Sequence, residues 1–155
     1  MRICGIDPGA NGAICVLDSN DPVYIALLDL AKTTPFDAAH WLQKQNPNTV
    51  WIEDVHSLFG MSAKSNFGFG RNLGLAIAIS QIATKGDVAK TVTPKIWQKY
   101  IGVTAKGKDI KKQISEIAIK LYPTANIYGK RGGLLDGRSD ALMIAHYGLH
   151  NKEGE

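Results

Sequence analysis

Four acidic side chains stand where they could assemble a metal site. Asp7 closes the apolar run RICGID just before Pro8 and Gly9, and Glu53 falls at the end of a second run, TVWIED. Asp136 and Asp140 stand four apart, with Asp140 at the head of the apolar stretch ALMIAHYGL. Residues four apart on a helix share a face, so both aspartates can point the same way. If the two acid-terminated runs are neighbouring strands and the last helix packs across their ends, the four carboxylates converge. Hard oxygen donors of this kind suit Mg²⁺ or Mn²⁺, and a pair of such ions can activate water and stabilise the leaving oxygen in phosphodiester hydrolysis. Each acid alone also has a structural use. Asp7 fits a turn, Glu53 with Asp54 marks where a strand meets water, and Asp136 fits an N-cap with Gly137 to Ser139 as its first turn. Asp140 is harder to place without a partner, because a carboxylate at the margin of an apolar helix face needs an ion or a hydrogen bond.

The basic residues have a separate address. The 155-residue chain carries a net charge of +4, but it divides into −4 over residues 1–60, +10 over 61–131 and −2 over 132–155. Lys106, Lys108, Lys111 and Lys112 crowd seven residues, with Lys95 and Lys99 just upstream. Lysines in a glycine-containing linker that leads into a helix can follow a phosphate backbone with sequence-independent contacts, and the local +10 suits a polyanion. Lys112 also fits a solvated helix face. After Glu53, residues 57–68 form a polar, glycine-containing stretch flanked by Phe59, Phe67 and Phe69, expected to be a functional loop. Phe69 reads as core, whereas Phe59 or Phe67 can stack on an unpaired base, with Lys64 and Arg71 binding phosphates beside it. His56 is a further DNA-contact candidate, and His146 reads as a packing group.

The elements that must hold these residues follow from breakers and periodicity. Arg2 to Asp7, Gly12 to Asp18 and Val23 to Leu30 read as three strands with short links, hence an antiparallel meander. A helix opens at Pro35 and runs to about Gln45, and Thr49 to Asp54 is a buried strand. Helical pattern returns from Phe69 to Ala83, followed by a strand at Val88 to Val92, a short helix from Pro94 to Tyr100, a helix capped by Asp109 to Leu121 and a last helix from Leu135 to His150. The expected architecture is one α/β domain over residues 1–150 with a frayed tail, 151–155. Its 45% hydrophobic and 21% charged residues exclude disordered, collagen-like and coiled-coil classes. Cys4 and Cys15 lack metal or redox spacing and read as small buried hydrophobes. With no membrane-length apolar run and no targeting signal, the expectation is a cytoplasmic protein without a membrane partner. Gly70, Gly74 and Ala78 form a small-residue stripe on the second helical segment, against which the domain's own sheet or a second subunit can pack.

Three segments, GIDPGANGAICVLD, IEDVHS and DGRSDALMIAHYG, resemble the RuvC-type Holliday junction resolvases, in their phage, poxvirus and organelle-like branch. GMSAKSNFGFGRNLG and VTPKIWQKYIGV extend the resemblance over nearly the whole chain. It implies an RNase H-like fold, a mixed sheet of a three-strand antiparallel meander plus parallel strands, flanked by helices. It also implies a Mg²⁺-dependent homodimeric endonuclease on four-way DNA, with two ions per site, Mn²⁺ as an alternative, and a bacterial or phage-infected cytoplasm. The four ligands would be Asp7, Glu53, Asp136 and Asp140, and Lys108 or Lys111 would lie near the scissile phosphate. One departure stands out: the bacterial form spaces its last two acids three apart, and Gly137 occupies the aligned position here. Either Asp136 substitutes from one residue earlier or only three acids bind metal. A nuclease for other branched or hybrid substrates, and a non-catalytic junction-binding scaffold, remain as alternatives. Asp7-x-Gly9-x-x-Gly12 also matches the phosphate hairpin of actin-like kinases, but those need two such domains, so no nucleotide cofactor is expected.

Overall fold

The computed structural model describes residues 1–54, 60 and 62–151. A five-stranded sheet forms its centre, in the order β3-β2-β1-β4-β5. Strands β1 (Arg2–Asp7), β2 (Ala13–Asp18) and β3 (Asp21–Asp29) make the antiparallel meander; β4 (Thr49–Glu53) and β5 (Lys90–Val92) add to it in parallel. Helices α1 (Pro35–Gln45) and α2 (Ala63–Ala83) cover one face, and α4 (Asp109–Leu121) and α5 (Asp136–His150) the other, with α3 (Pro94–Tyr100) beside α5.

Alternation along the strands explains the two cores. Ile3, Cys15, Leu17 and Trp51 face α5, while Cys4, Ile6, Ile14, Val50 and Ile52 face α1 and α2. The two cysteines are free, buried and on opposite faces, as expected of small hydrophobes. Helix α5 is apolar nearly all round, from Ala141 to Ala145, because it lies directly on β1 and β2. That approach depends on Gly5: a Cβ there would sit 2.3 Å from the Ala141 carbonyl oxygen.

Three local expectations are corrected. Helix α2 starts at Ala63, so residues 63–68 are helical rather than loop; the Ser62 hydroxyl caps it by accepting from the Ser65 N–H at 3.1 Å. Phe59 and His56 lie outside the described residues. Asp109 is not an N-cap but the first residue of α4, where its negative charge complements the helix dipole's positive end, and Lys108 takes the cap position without a side-chain hydrogen bond. Strand β3 begins at Asp21, so the turn before it shrinks to Ser19 and Asn20; Pro22 is tolerated because β3 is an edge strand.

Candidate active site

Parallel pairing of β1 with β4 sets the first two acids side by side. Ile6 is in register with Ile52, so the next residue on each strand, Asp7 and Glu53, emerges at the same sheet edge and toward the α5 face. Helix α5 begins above that edge and brings Asp136 and Asp140. Its entry is fixed by Arg138, whose Nε and Nη2 donate to the two carboxylate oxygens of Asp29 at 2.6 and 2.9 Å. Asp7, Glu53, Asp136 and Asp140 together line one cleft of about 370 Å³, with Lys111 of α4, Phe69 of α2 and Pro94 of α3 completing its walls.

Position 137 leaves no room for a side chain. A Cβ at this position would lie 2.1 Å from the Asn11 carbonyl oxygen, so the helix is pressed on the β1–β2 turn and no acidic side chain fits there. Asp136, one residue earlier in the first turn of α5, lines the cleft instead.

The electrostatics are those of crowded, desolvated carboxylates. Asp7 is 8% exposed, and burial raises its carboxyl above the ordinary value; a hydrogen bond from the Gly9 N–H at 2.8 Å works against that, and the Asp136 charge adds to it. Glu53 is pushed up to about 7, by burial first and by the Asp7 charge second. Asp140 is driven well above its usual range by burial and by the charges of Asp7, Glu53 and Asp136; its Oδ1 is buried without a hydrogen-bond partner. Lys111 Nζ donates to Asp136 Oδ2, and this bond raises the ammonium's pKa. Trp97 Nε1 donates to Glu53 Oε1 at 2.9 Å.

These features fit a divalent cation. An orphaned carboxylate oxygen among three further carboxylates is a hard-donor set with excess negative charge, the condition that Mg²⁺ or Mn²⁺ relieves. In the side-chain arrangement observed, no three His, Cys, Asp or Glu residues form a ready cage among the described residues. Three of the four acids are engaged otherwise: Trp97 donates to Glu53, Lys111 to Asp136 and the Gly9 N–H to Asp7.

The cleft takes in few of the remaining candidates. Lys111 lines it and Lys108 does not. Lys106, Lys108 and Lys112 are exposed on the approach to and first turn of α4, with Lys112 within 4.0 Å of Glu116. Lys64 and Phe67 are exposed on the first turns of α2, Phe67 at 77%. Arg71 lines an adjoining hollow that shares Gly9 and Ala10 with the cleft. His146 packs as expected, against the Tyr122 hydroxyl at 2.9 Å. Two residues were not anticipated: Phe69, read as core, forms a cleft wall, and Trp97 binds Glu53 across 44 residues of chain. Trp97 carries no spacing signal toward Glu53; only the polar setting of its short helix, PKIWQKY, hints at a role for the indole.

No protein-family model matches the chain, and no curated protein matches its sequence. Solved structures match its fold. Thermus thermophilus RuvC superposes with a TM-score of 0.62 at 16% identity, covering 96% of this chain and 95% of that one. T. thermophilus RuvC in complex with a Holliday junction substrate gives 0.61 at 18%, covering 94% and 90%. Fowlpox virus resolvase, in complex with its substrate Holliday junction DNA, gives 0.54 at 18%, covering 96% and 97%. The chain has the fold of the RuvC-type resolvases, an RNase H-like mixed sheet flanked by helices.

Proposed function

We propose that this chain is a divalent-cation-dependent endonuclease that resolves four-way DNA junctions as a homodimer. The observation that carries the reading is the convergence of Asp7, Glu53, Asp136 and Asp140, from two strands and one helix, in a single cleft with Lys111. Junction DNA is the substrate class in the two resolvase complexes that share its fold.

Asp7, Glu53, Asp140 and Asp136 would hold one or two Mg²⁺ or Mn²⁺ ions. Such ions, when bound, lower the pKa of a water and offset charge on the leaving oxygen. The chain's own groups do the rest. Lys111, kept protonated by its acidic neighbours, supplies a cation where charge grows on the phosphate. Trp97 fixes the rotamer of Glu53, and Gly9 that of Asp7. Lys106, Lys108, Lys112, Lys64 and Arg71 provide phosphate contacts around the cleft.

The dimer reading has its own support. Gly70, Gly74 and Ala78 are exposed on α2, and a Cβ at either glycine would meet nothing within 4 Å. The stripe therefore does not serve the domain's own sheet and is free for a second copy, giving two clefts for the two strands of a two-fold junction.

The test separates cleavage from binding. Asp7→Asn should bind a four-way junction like wild type in EDTA while losing Mg²⁺-dependent cleavage. Full cleavage by Asp7→Asn would sink the ligand assignment. A wild-type chain that binds junctions but never cleaves them with Mg²⁺ or Mn²⁺ would replace the nuclease by a scaffold, and cleavage confined to hybrids or flaps would replace the substrate.

A further inference from the structure

The acid cleft is one end of a longer trough. Asn11 and Asp136 line both the cleft and a second hollow of about 290 Å³ that reaches Asp29. Lys32, Leu134, Leu135 and Arg138 line that hollow and also a third, of about 730 Å³, beyond it. The far wall of the third is a small hairpin. Tyr128 bridges Leu134, the Gly129 N–H donates to the Gly133 carbonyl at 2.8 Å, the Gly132 N–H donates to the Gly129 carbonyl at 2.9 Å, and a bond from the Leu135 N–H to the Ile127 carbonyl at 2.8 Å closes the base.

The charges on this trough are not balanced. On its inner wall, Arg138 and Lys32 share Asp29. At the hairpin tip, Lys130 and Arg131 are both exposed and take part in none of the ion pairs among the described residues. Tyr128, 44% exposed, stands beside them. Basic residues at a loop tip are ordinarily only solvated; these border a concave channel that leads to four carboxylates, on a hairpin braced by backbone bonds. Four residues, Gly132 to Leu135, join Arg131 to Asp136 at the start of α5, and the Leu135 to Ile127 bond ties the base of the hairpin to the cap of that helix.

We propose that the Lys130–Arg131 hairpin is a second DNA-backbone clamp, which grips phosphates of the same arm whose scissile bond lies in the acid cleft. The Lys106 to Lys112 segment and this hairpin then provide separate cationic contacts for the substrate. The clamp rests on the nuclease reading above. It adds a binding element that the charge division along the chain conceals, since these two residues end the basic middle segment and were not among the expected DNA contacts. Phosphate is the recognised group, so the contact is independent of base sequence.

The experiment is fluorescence anisotropy of a labelled four-way junction and a linear duplex, in EDTA, over a KCl series. Wild type is compared with Lys130→Ala/Arg131→Ala and with the charge-preserving Lys130→Arg/Arg131→Lys, and circular dichroism melts check folding. Two lost phosphate contacts should weaken junction binding about tenfold and make the log–log salt slope shallower by about 2, at roughly 0.9 per contact. The charge-preserving pair should restore both. Wild-type affinity and slope in the alanine pair would overturn the clamp and leave the nuclease reading intact. So would a loss that the charge-preserving pair fails to restore. Absence of any DNA binding by wild type would overturn the underlying reading and the clamp together.

Discussion

Trp97, fully buried on α3, donates its indole N–H to Glu53 Oε1 at 2.9 Å. This is a charge-assisted bond from the core into the cleft. Burial and the Asp7 charge push the Glu53 carboxyl up; the indole and the Lys111 charge pull it down, and it settles at about 7. Glu53 is thereby poised to ionise near neutrality, where cation binding can complete the ionisation.

Trp97→Phe keeps an aromatic ring in the core and removes the donor. The Glu53 pKa should then rise by about one unit, the worth of a hydrogen bond to a charged group. A higher pKa leaves less carboxylate at pH 7, so the Mg²⁺ requirement for cleavage should increase several-fold there and return toward wild type at pH 9. A Mg²⁺ titration at the two pH values reads this, and a requirement equal to wild type at pH 7 would remove Trp97 from the site.

The raised carboxyls also set the pH dependence of stability without divalent ions. Between pH 4.5, the ordinary value for glutamate, and about 7, its value here, the folded state holds a proton that the unfolded chain has released. Stability therefore falls as pH rises through this window, and Asp7 and Asp140 act in the same direction. Glu53→Gln accepts the same indole bond with no charge to desolvate, so in EDTA at pH 7.5 it should be more stable than wild type, by up to about 3 kcal/mol. Its melting temperature should also respond less to Mg²⁺ than that of wild type. Chemical denaturation at pH 5 and 7.5 checks the sign; a variant less stable than wild type at pH 7.5 would contradict the burial of an ionised Glu53.

The sheet was legible because its signals are local. Pro8-Gly9, the two short links and the acid-terminated TVWIED fix three antiparallel strands and a fourth, and the i, i+4 pair Asp136 and Asp140 marks a helix face. What escaped depended on contacts between distant segments. Residues 63–68 contain glycine, serine and asparagine and read as loop, yet the Ser62 cap and the long α2 that follows carry them into helix. Phe69 was assigned to the core by residue type, but its position on α2 turns it to the cleft. The choice between Lys108 and Lys111 needed the helix phase of α4, since only one of two lysines three residues apart enters the cleft.

Lys111 does two opposed things, and its removal should separate them. Its charge lowers the pKa of Asp7, Glu53 and Asp140, and its hydrogen bond occupies Asp136. In Lys111→Gln a repelling cation leaves and Asp136 is released, so half-saturation should come at lower Mg²⁺ at pH 8.5, where the other acids are ionised. The maximal rate should nevertheless fall by about 10²–10³-fold, as when a donor to developing oxyanion charge is lost. Lys111→Arg should recover part of the rate. A rate unchanged at saturating Mg²⁺ would confine Lys111 to a structural pairing with Asp136.

Phe67 offers the sharpest separation of binding from folding. At 77% exposure on the second turn of α2 it contributes little packing, so Phe67→Ala should change stability by no more than about 0.5 kcal/mol. A base stacked on its ring would be worth about 1–3 kcal/mol. Junction affinity in EDTA should therefore drop roughly 5- to 150-fold with the melting temperature held, and the loss should be greater for a four-way junction, whose branch point interrupts stacking and lets bases be exposed, than for linear duplex. Because stacking carries no charge, the salt slope should stay at the wild-type value, unlike that of the hairpin variant. Equal losses on junction and duplex, or a shallower slope, would make Phe67 a general surface contact and leave base stacking to other residues.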